Sequence, residues 1–358
     1  MKTEPIIPFS LSFTAGVTVA SCINAGYPYC TAALSGVFLL IGISIVVQRG
    51  EAFLLLGAVA LAGFYSAESR SLSGTFPGDI QSATRGLTLG FREYMRTLTA
   101  SIPFSDRRTP ALIDALLCGD RSALPRGTVE AFRKSGASHL LALSGLHLGV
   151  LATGLGAVLE VLGRSRGAQY AKSAIIIAFC LLYLLACGAG PSLQRAFFFI
   201  AIRQILSHDR SRRLSPSGTL CLALTIQLTI DPLSIRSASF QLSYLAMAGI
   251  TFIYPRLEAF YPGGNARPGP IRKVWNNMAL SVSCQIATLP VVWIRFHSLP
   301  QCFILTNLIS LPICEALVAS GAALTAMSAL GFHPKALITM TDFLSRLLLS
   351  VMETIASD

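Results

Sequence analysis

Ser144 and His147 stand three residues apart in the run Ser144-Gly145-Leu146-His147, a spacing that puts a hydroxyl and an imidazole on one face of a helix. Gly145 and Gly149 add a small-residue stripe against which a second helix can lie closely. Two roles fit the pair. With His139 it lines a hydrated path, or it hydrogen-bonds between helices, because ionisable groups in an apolar bundle face its interior or water rather than lipid. Serine hydrolysis is not indicated, since Ala142-Leu143-Ser144-Gly145 is no G-x-S-x-G elbow. Nor is a metal site: His139 and His147 are too far apart for the i, i+4 grip of one helix face. No catalytic residue, metal or cofactor is expected.

Other polar groups interrupt apolar runs further on. Arg195 follows Gln194 just after the helix-start signal Gly188-Ala189-Gly190-Pro191. It can meet a substrate anion, pair with Asp231 or hold a lipid headgroup. Gln241, Ser243, Gln285 and Asn307 are uncharged groups of the kind that bridge helices or touch a polar substrate. Asp342 and Arg346, four apart, neutralise each other, whereas Glu315 has no local partner. Arg85, Arg92, Arg96, Arg107, Arg108, Arg121, Arg126 and Arg133 form a basic set suited to phosphates, whether of nucleic acid or of anionic headgroups.

The elements that must carry these residues follow from composition. The 358 residues are 53% hydrophobic and 13% charged, against about a quarter charged in soluble domains. Such a chain is shaped by lipid, and its net charge of +11 is that of basic loops beside a membrane as readily as of a nucleic-acid binder. The nine cysteines include no C-x-x-C pair and fall mostly in apolar runs (Cys22, Cys180, Cys187, Cys221, Cys284, Cys302, Cys314), which marks them as buried structural residues. Val19-Ala20-Ser21-Cys22 has the form of a lipoprotein cleavage box, but a first span explains the same run.

Apolar stretches predict an all-α, polytopic integral membrane bundle of about eleven spans with outer-face amphipathic helices. Residues 1–67 hold three spans, at 6–25, 31–47 and 52–67. Residues 68–136 carry ten basic residues and are too polar to cross. There Leu87, Phe91, Met95, Leu98 and Ile102 recur at helical spacing before Pro103, followed by short helices from Thr109, as cap, to Cys118-Gly119 and from Pro125 to Lys134. Residues 137–358 hold the remaining spans, at 137–162, 171–186, 191–206, 218–233, 238–254, 274–294, 301–331 and 336–355. The seventh of these, with Asn307 and Pro312, is expected to break into a short helix and a spanning one. Residues 255–270 are rich in Gly and Pro and read as a flexible loop. Basic residues then place the N-terminus in the cytoplasm: Arg49, Arg164, Arg166, Arg210, Arg212, Arg213 and Arg272 are among the inner ones, against Arg195, Arg236 and Arg295 in the short outer loops. Residues 68–136 and the C-terminus fall on the periplasmic or extracellular side.

From Leu116 to Leu151 the chain reads LLCGDRSALPRGTVEAFRKSGASHLLALSGLHLGVL. This resembles the signature of the ComEC competence family: a short LxxGdrs segment, an amphipathic helix ending in Gly, then HLLAxSGLH. Weaker likenesses follow in the family's order at GAGPSLQRA (Gly188 to Ala196), DPLSIRSASFQLSYLA (Asp231 to Ala246) and TLPVVWIRFHSLPQCFILTNLISLP (Thr288 to Pro312). The resemblance implies a bacterial inner-membrane channel for single-stranded DNA in natural transformation, with His139, Ser144, His147, Arg195, Gln241, Ser243 and Asn307 as residues of the path. It implies as partners the DNA strand, membrane lipid, an outer DNA receptor, cytosolic motor or strand-coating proteins, and further copies of the chain. Full-length relatives carry an OB-fold insert and a metallo-β-lactamase-like nuclease. This sequence shows neither, no H-x-H-x-D-H run and no G-x-x-x-x-G-K-[ST] loop, so nuclease and ATPase activity are not expected of it. The alternative is a membrane scaffold or small-solute transporter that keeps the core without DNA uptake.

Overall fold

The computed structural model describes residues 6–24, 63, 78–208, 214–261, 269–297 and 303–357, and all regular structure among them is helical. The expected second and third spans lie outside these residues apart from Gly63, as do Arg210, Arg212, Arg213 and residues 262–268 of the expected 255–270 loop, whose first residues are helical as far as Ala259. Among the described residues four helical stretches are long and apolar enough to cross a membrane: Gly145–Leu162, Arg166–Ala186, Ile271–Arg295 and Thr306–Ala329.

The chain opens with α1 (Ile6–Asn24). The amphipathic segment is α2 (Gly78–Ser101). Met95 on its apolar face is buried and Phe91 and Leu98 pack beside it, while Leu87 is exposed. Pro103 follows at once, where the missing N–H and the ring forbid another turn. α3 (Thr109–Cys118) starts one residue earlier than a Thr109 cap would require. Arg108 is the cap residue, Pro110 sits in the first turn, and Gly119 closes the helix in the left-handed conformation. α4 (Arg126–Lys134) ends before Gly136, whose φ of 76° turns the chain so that the Ala137 N–H reaches the Phe132 carbonyl at 2.9 Å.

The span expected from residue 137 begins later. Residues 137–144 form turns, and α5 (Gly145–Val158) starts at Ser144 as N-cap and runs into a short 3-10 segment, Leu159–Leu162. Next come α6 (Arg166–Ala186), α7 (Pro191–Leu206) and α8 (Pro216–Ile230). The expected span at 238–254 is an interrupted rod: α9 (Ala238–Ala248), a π turn at Gly249–Ile253, then α10 (Tyr254–Ala259). α11 (Pro270–Phe296) continues through Pro290. α12 (Phe303–Ala329) is one continuous helix through Pro312, not the broken pair expected. A single proline deletes one backbone bond, which twenty-seven helical residues tolerate. α13 (Lys335–Ser357) closes the chain.

Three buried clusters organise these helices. The largest joins α3 and α4 to α12 and α13 through Leu112, Leu116, Phe132, Leu317, Leu348 and Leu349. The segment that carries α3 and α4 is therefore rooted in the last two helices. A second packs α5, α6 and the start of α7 around Leu148, Cys180, Tyr183 and Leu193. The third packs α1 on α8 and α9 through Phe13, Val17, Leu228 and Phe240. Cys118, Cys180, Cys187, Cys221 and Cys314 are buried free thiols among these helices.

Candidate functional site

Ser144 and His147 meet, but not as two residues on a helix face. Ser144 has extended backbone as the N-cap, and His147 is the third residue of α5. The His147 Nδ1 accepts the Ser144 backbone N–H at 3.1 Å and lies 2.9 Å from its hydroxyl. With two donors at Nδ1 the ring proton belongs on Nε2, and Nε2 is buried without a partner. The pair is thus a capping box that satisfies donors at the start of α5. His139 is exposed in the preceding turns, with Nδ1 3.3 Å from the Gly136 carbonyl. Of the two glycines, only Gly145 faces a neighbour, the Ala196 methyl of α7; a side chain at Gly149 would meet open space.

The arginines between residues 85 and 133 do not form one uniform patch. Arg96 pairs with Asp120 at 2.5 Å, Arg108 bridges Asp106 and Glu353 at 3.2 and 2.8 Å, and Arg133 pairs with Glu130 at 2.7 Å. Burial acts against the Asp120 charge, but hydrogen bonds from Ser122 and the Arg96 guanidinium prevail and hold the carboxyl below the usual range. Arg121 donates Nε–H to the Leu141 carbonyl at 3.0 Å. Arg85, Arg107 and Arg126 are exposed. Arg92 is half-buried, and its Nε lacks a partner. Beneath this surface Asp114 of α3 is buried and accepts the Thr99 hydroxyl at 3.0 Å. Desolvation pushes its carboxyl up to about 6, with Asp120 adding in the same direction against Thr99 and Arg96.

A buried polar group lies between α7, α8 and α9. Gly188 and Ala189 both take positive φ, which swings the chain into Gly190 and Pro191 at the start of α7. One turn on, Arg195 is 2% exposed. It donates to the Ser192 hydroxyl at 2.8 Å, and its guanidinium carbon stands 5.7 Å from the centre of the Tyr244 ring. Its Nε and Nη1 have no partner. Tyr244 donates its hydroxyl to Gln227 Oε1 at 3.0 Å, and Gln227 Nε2 lies 3.5 Å from Gln194 Oε1. Arg195 was legible in the sequence. Gln227 and Tyr244 were not singled out; the signal was a lone glutamine inside the apolar run of α8 and a tyrosine four residues after Phe240.

The remaining candidates scatter. Gln241 turns back to donate to the Ile235 carbonyl at 2.9 Å, Ser243 is half-buried on α9, and Asn307 is buried in α12 with Oδ1 unpartnered. Glu315 is exposed on α12. Asp342 and Arg346 pair at 3.4 Å as their spacing predicts.

Comparison with known proteins places these helices in context. The chain is 27% identical over 234 residues to ComE operon protein 3 of Bacillus subtilis, covering 65% of this chain and 28% of that protein. It is 29% identical over 206 residues to Competence protein ComA of Neisseria gonorrhoeae (56% of this chain, 28% of that one). It is 28% identical over 218 residues to Recombination protein 2 of Haemophilus influenzae (58% and 27%). The aligned part therefore spans little more than a quarter of these relatives. No solved structure matches the chain. The family described as Competence protein matches residues 116–358, from the last turns of α3 through every helix that follows, and the chain belongs to that family.

Proposed function

We propose that the chain is an inner-membrane conduit through which single-stranded DNA passes during natural transformation. The observation that carries this reading is that the family match begins within α3 and takes in α7, α8 and α9, the helices that carry the buried Arg195, Gln227 and Tyr244. Relatives named for competence supply the substrate, and a buried cation beside amide and phenol groups supplies a chemistry suited to a polyanion. On this reading about eleven spans cross the membrane, counting those at 31–47 and 52–67. The N-terminus is cytoplasmic, and residues 68–136 frame an entrance on the outer side. An outer receptor delivers the strand and cytosolic proteins pull and coat it, while strand cleavage and ATP hydrolysis are the work of other domains or chains. A strain deleted for this chain should fail to bring labelled DNA into the cytoplasm while still binding it outside. Undiminished internalisation would reject the reading in favour of a scaffold or small-solute transporter.

A further inference from the structure

We infer that the path for the strand runs between α7, α8 and α9, with Arg195 as the phosphate-binding group at its narrowest point. The inference rests on the conduit reading above and assigns it a route. Two cavities flank Arg195 along this contact. One, of about 280 Å³, is lined by Ser192, Ser239, Arg92 and Arg121. The other, of about 680 Å³, is lined by Phe199, Arg203, Thr219, Met247 and Tyr254.

Arg195 links them. Its hydrogen-bond partner Ser192 is itself hydrogen-bonded to Ser239 at 3.3 Å, and both line the first cavity. Phe199 and Arg203 follow Arg195 at four and eight residues on the same helix, which is one face of α7, and both line the second. On α9, Tyr244 touches Arg195 and Met247 lines the second cavity one turn further on. Cations thus recur in order along one line: Arg92 and Arg121, then Arg195, then Arg203. An aromatic group accompanies each of the last two, Tyr244 and Phe199.

This is the pairing a single strand requires. Guanidinium forks take the phosphates and aromatic faces take the bases without regard to sequence. Among the described residues no carboxylate pairs with the buried guanidinium, and two of its nitrogens are unpartnered, an arrangement that burdens the fold and suits an incoming anion. The Ser144–His147 element offers less, because the Ser144 N–H and hydroxyl are engaged with His147 Nδ1 at the start of α5, which leaves only the Nε2–H without a partner.

The test uses the full chain in lipid nanodiscs, which leave both faces open, with a single-stranded oligonucleotide carrying 5-iodouracil. After irradiation, adducts are mapped by mass spectrometry. The inference expects them on Phe199, Met247 or Tyr254. Strand retained but attached only to the outer arginine surface or to His139 and His147 overturns the path and leaves the DNA reading standing. No strand retained at all removes both. Arg195→Met, similar in length and uncharged, should weaken strand binding at least about tenfold without lowering the melting temperature, and Arg195→Lys should recover part of it. Arg203→Gln, at a cavity wall, should weaken binding several-fold. A lower melting temperature with binding per folded molecule unchanged makes Arg195 structural and overturns the inference. So does a phospholipid that survives delipidation in the parent and is lost in Arg195→Met.

Discussion

The Thr109 hydroxyl donates to the Asp342 carboxylate at 2.7 Å, fastening the first turn of α3 to α13 across most of the chain. Both side chains are buried. The Asp106 backbone N–H adds a second bond to the same oxygen at 3.2 Å, and Arg346 approaches the other oxygen at 3.4 Å. The start of α3 is held to the last helix by a carboxylate that must find all its partners inside the protein.

Thr109→Val keeps the shape and removes one donor from a buried charge, so it should destabilise the protein by about 2 kcal/mol. Arg346 is 52% exposed, and screening by solvent limits Arg346→Ala to under about 1 kcal/mol. Thermal melts of the two variants should rank them in that order, and the reverse ranking would mean that the ion pair, not the hydroxyl, holds α13.

Asp114 introduces a pH dependence of the opposite sign to its neighbours. Its folded carboxyl titrates near 6, above the unfolded value of 3.8, so the folded state holds the proton more tightly. The stability this provides is complete below the unfolded value and is lost as pH rises towards and through 6. The difference amounts to roughly 3 kcal/mol at neutral pH. Asp106 and Asp120, whose carboxyls are held low, lose their contribution only as pH falls below 3.8. Asp114→Asn, which imitates the protonated acid, should raise the melting temperature at pH 7.5 and flatten its change between pH 4.5 and 7.5. A variant that melts with the parent's pH profile would place the titration elsewhere.

Ser144→Ala leaves His147 without the hydroxyl of its cap and should cost about 1 kcal/mol. Because the Ser144–His147 bonds are internal to the start of α5, DNA internalisation should fall only as far as the folded protein does. Comparing uptake with the amount of folded protein in membranes checks this, and a loss of uptake at full protein level would make Ser144 part of the path.

Gly249 lies where α9 passes into the π turn and presses on α11. A Cβ built there would sit 2.5 Å from the Ser283 carbonyl oxygen and 3.0 Å from the Ala287 methyl. Gly249→Ala should therefore destabilise the protein by about 1–3 kcal/mol through overpacking. Gly154→Ala is the control: nothing lies within 4 Å, and the added methyl in a helix should gain about 0.5–1 kcal/mol. Equal melting temperatures for the two would contradict the close approach of α9 and α11.

What residue order alone determined is local or compositional. Apolar runs of spanning length required helices in lipid, and the Pro and Gly signals around Pro110, Gly119, Gly136 and Pro191 marked ends that the backbone obeys within a residue or two. The LxxGdrs and SGLH segments pointed to the family that matches from residue 116 onward. Arg195 stood out because a cation inside an apolar run is costly wherever the helix lies. Tertiary structure decided the rest. Whether Pro312 breaks α12, which arginines are neutralised by Asp120, Asp106, Glu353 and Glu130, and which helix supplies the partners of Arg195 all depend on contacts between residues far apart in the chain. Periodicity reports which face of a helix is apolar but not which helix lies against it. For that reason Gln227 and Tyr244 gained significance only when α8 and α9 were brought beside α7.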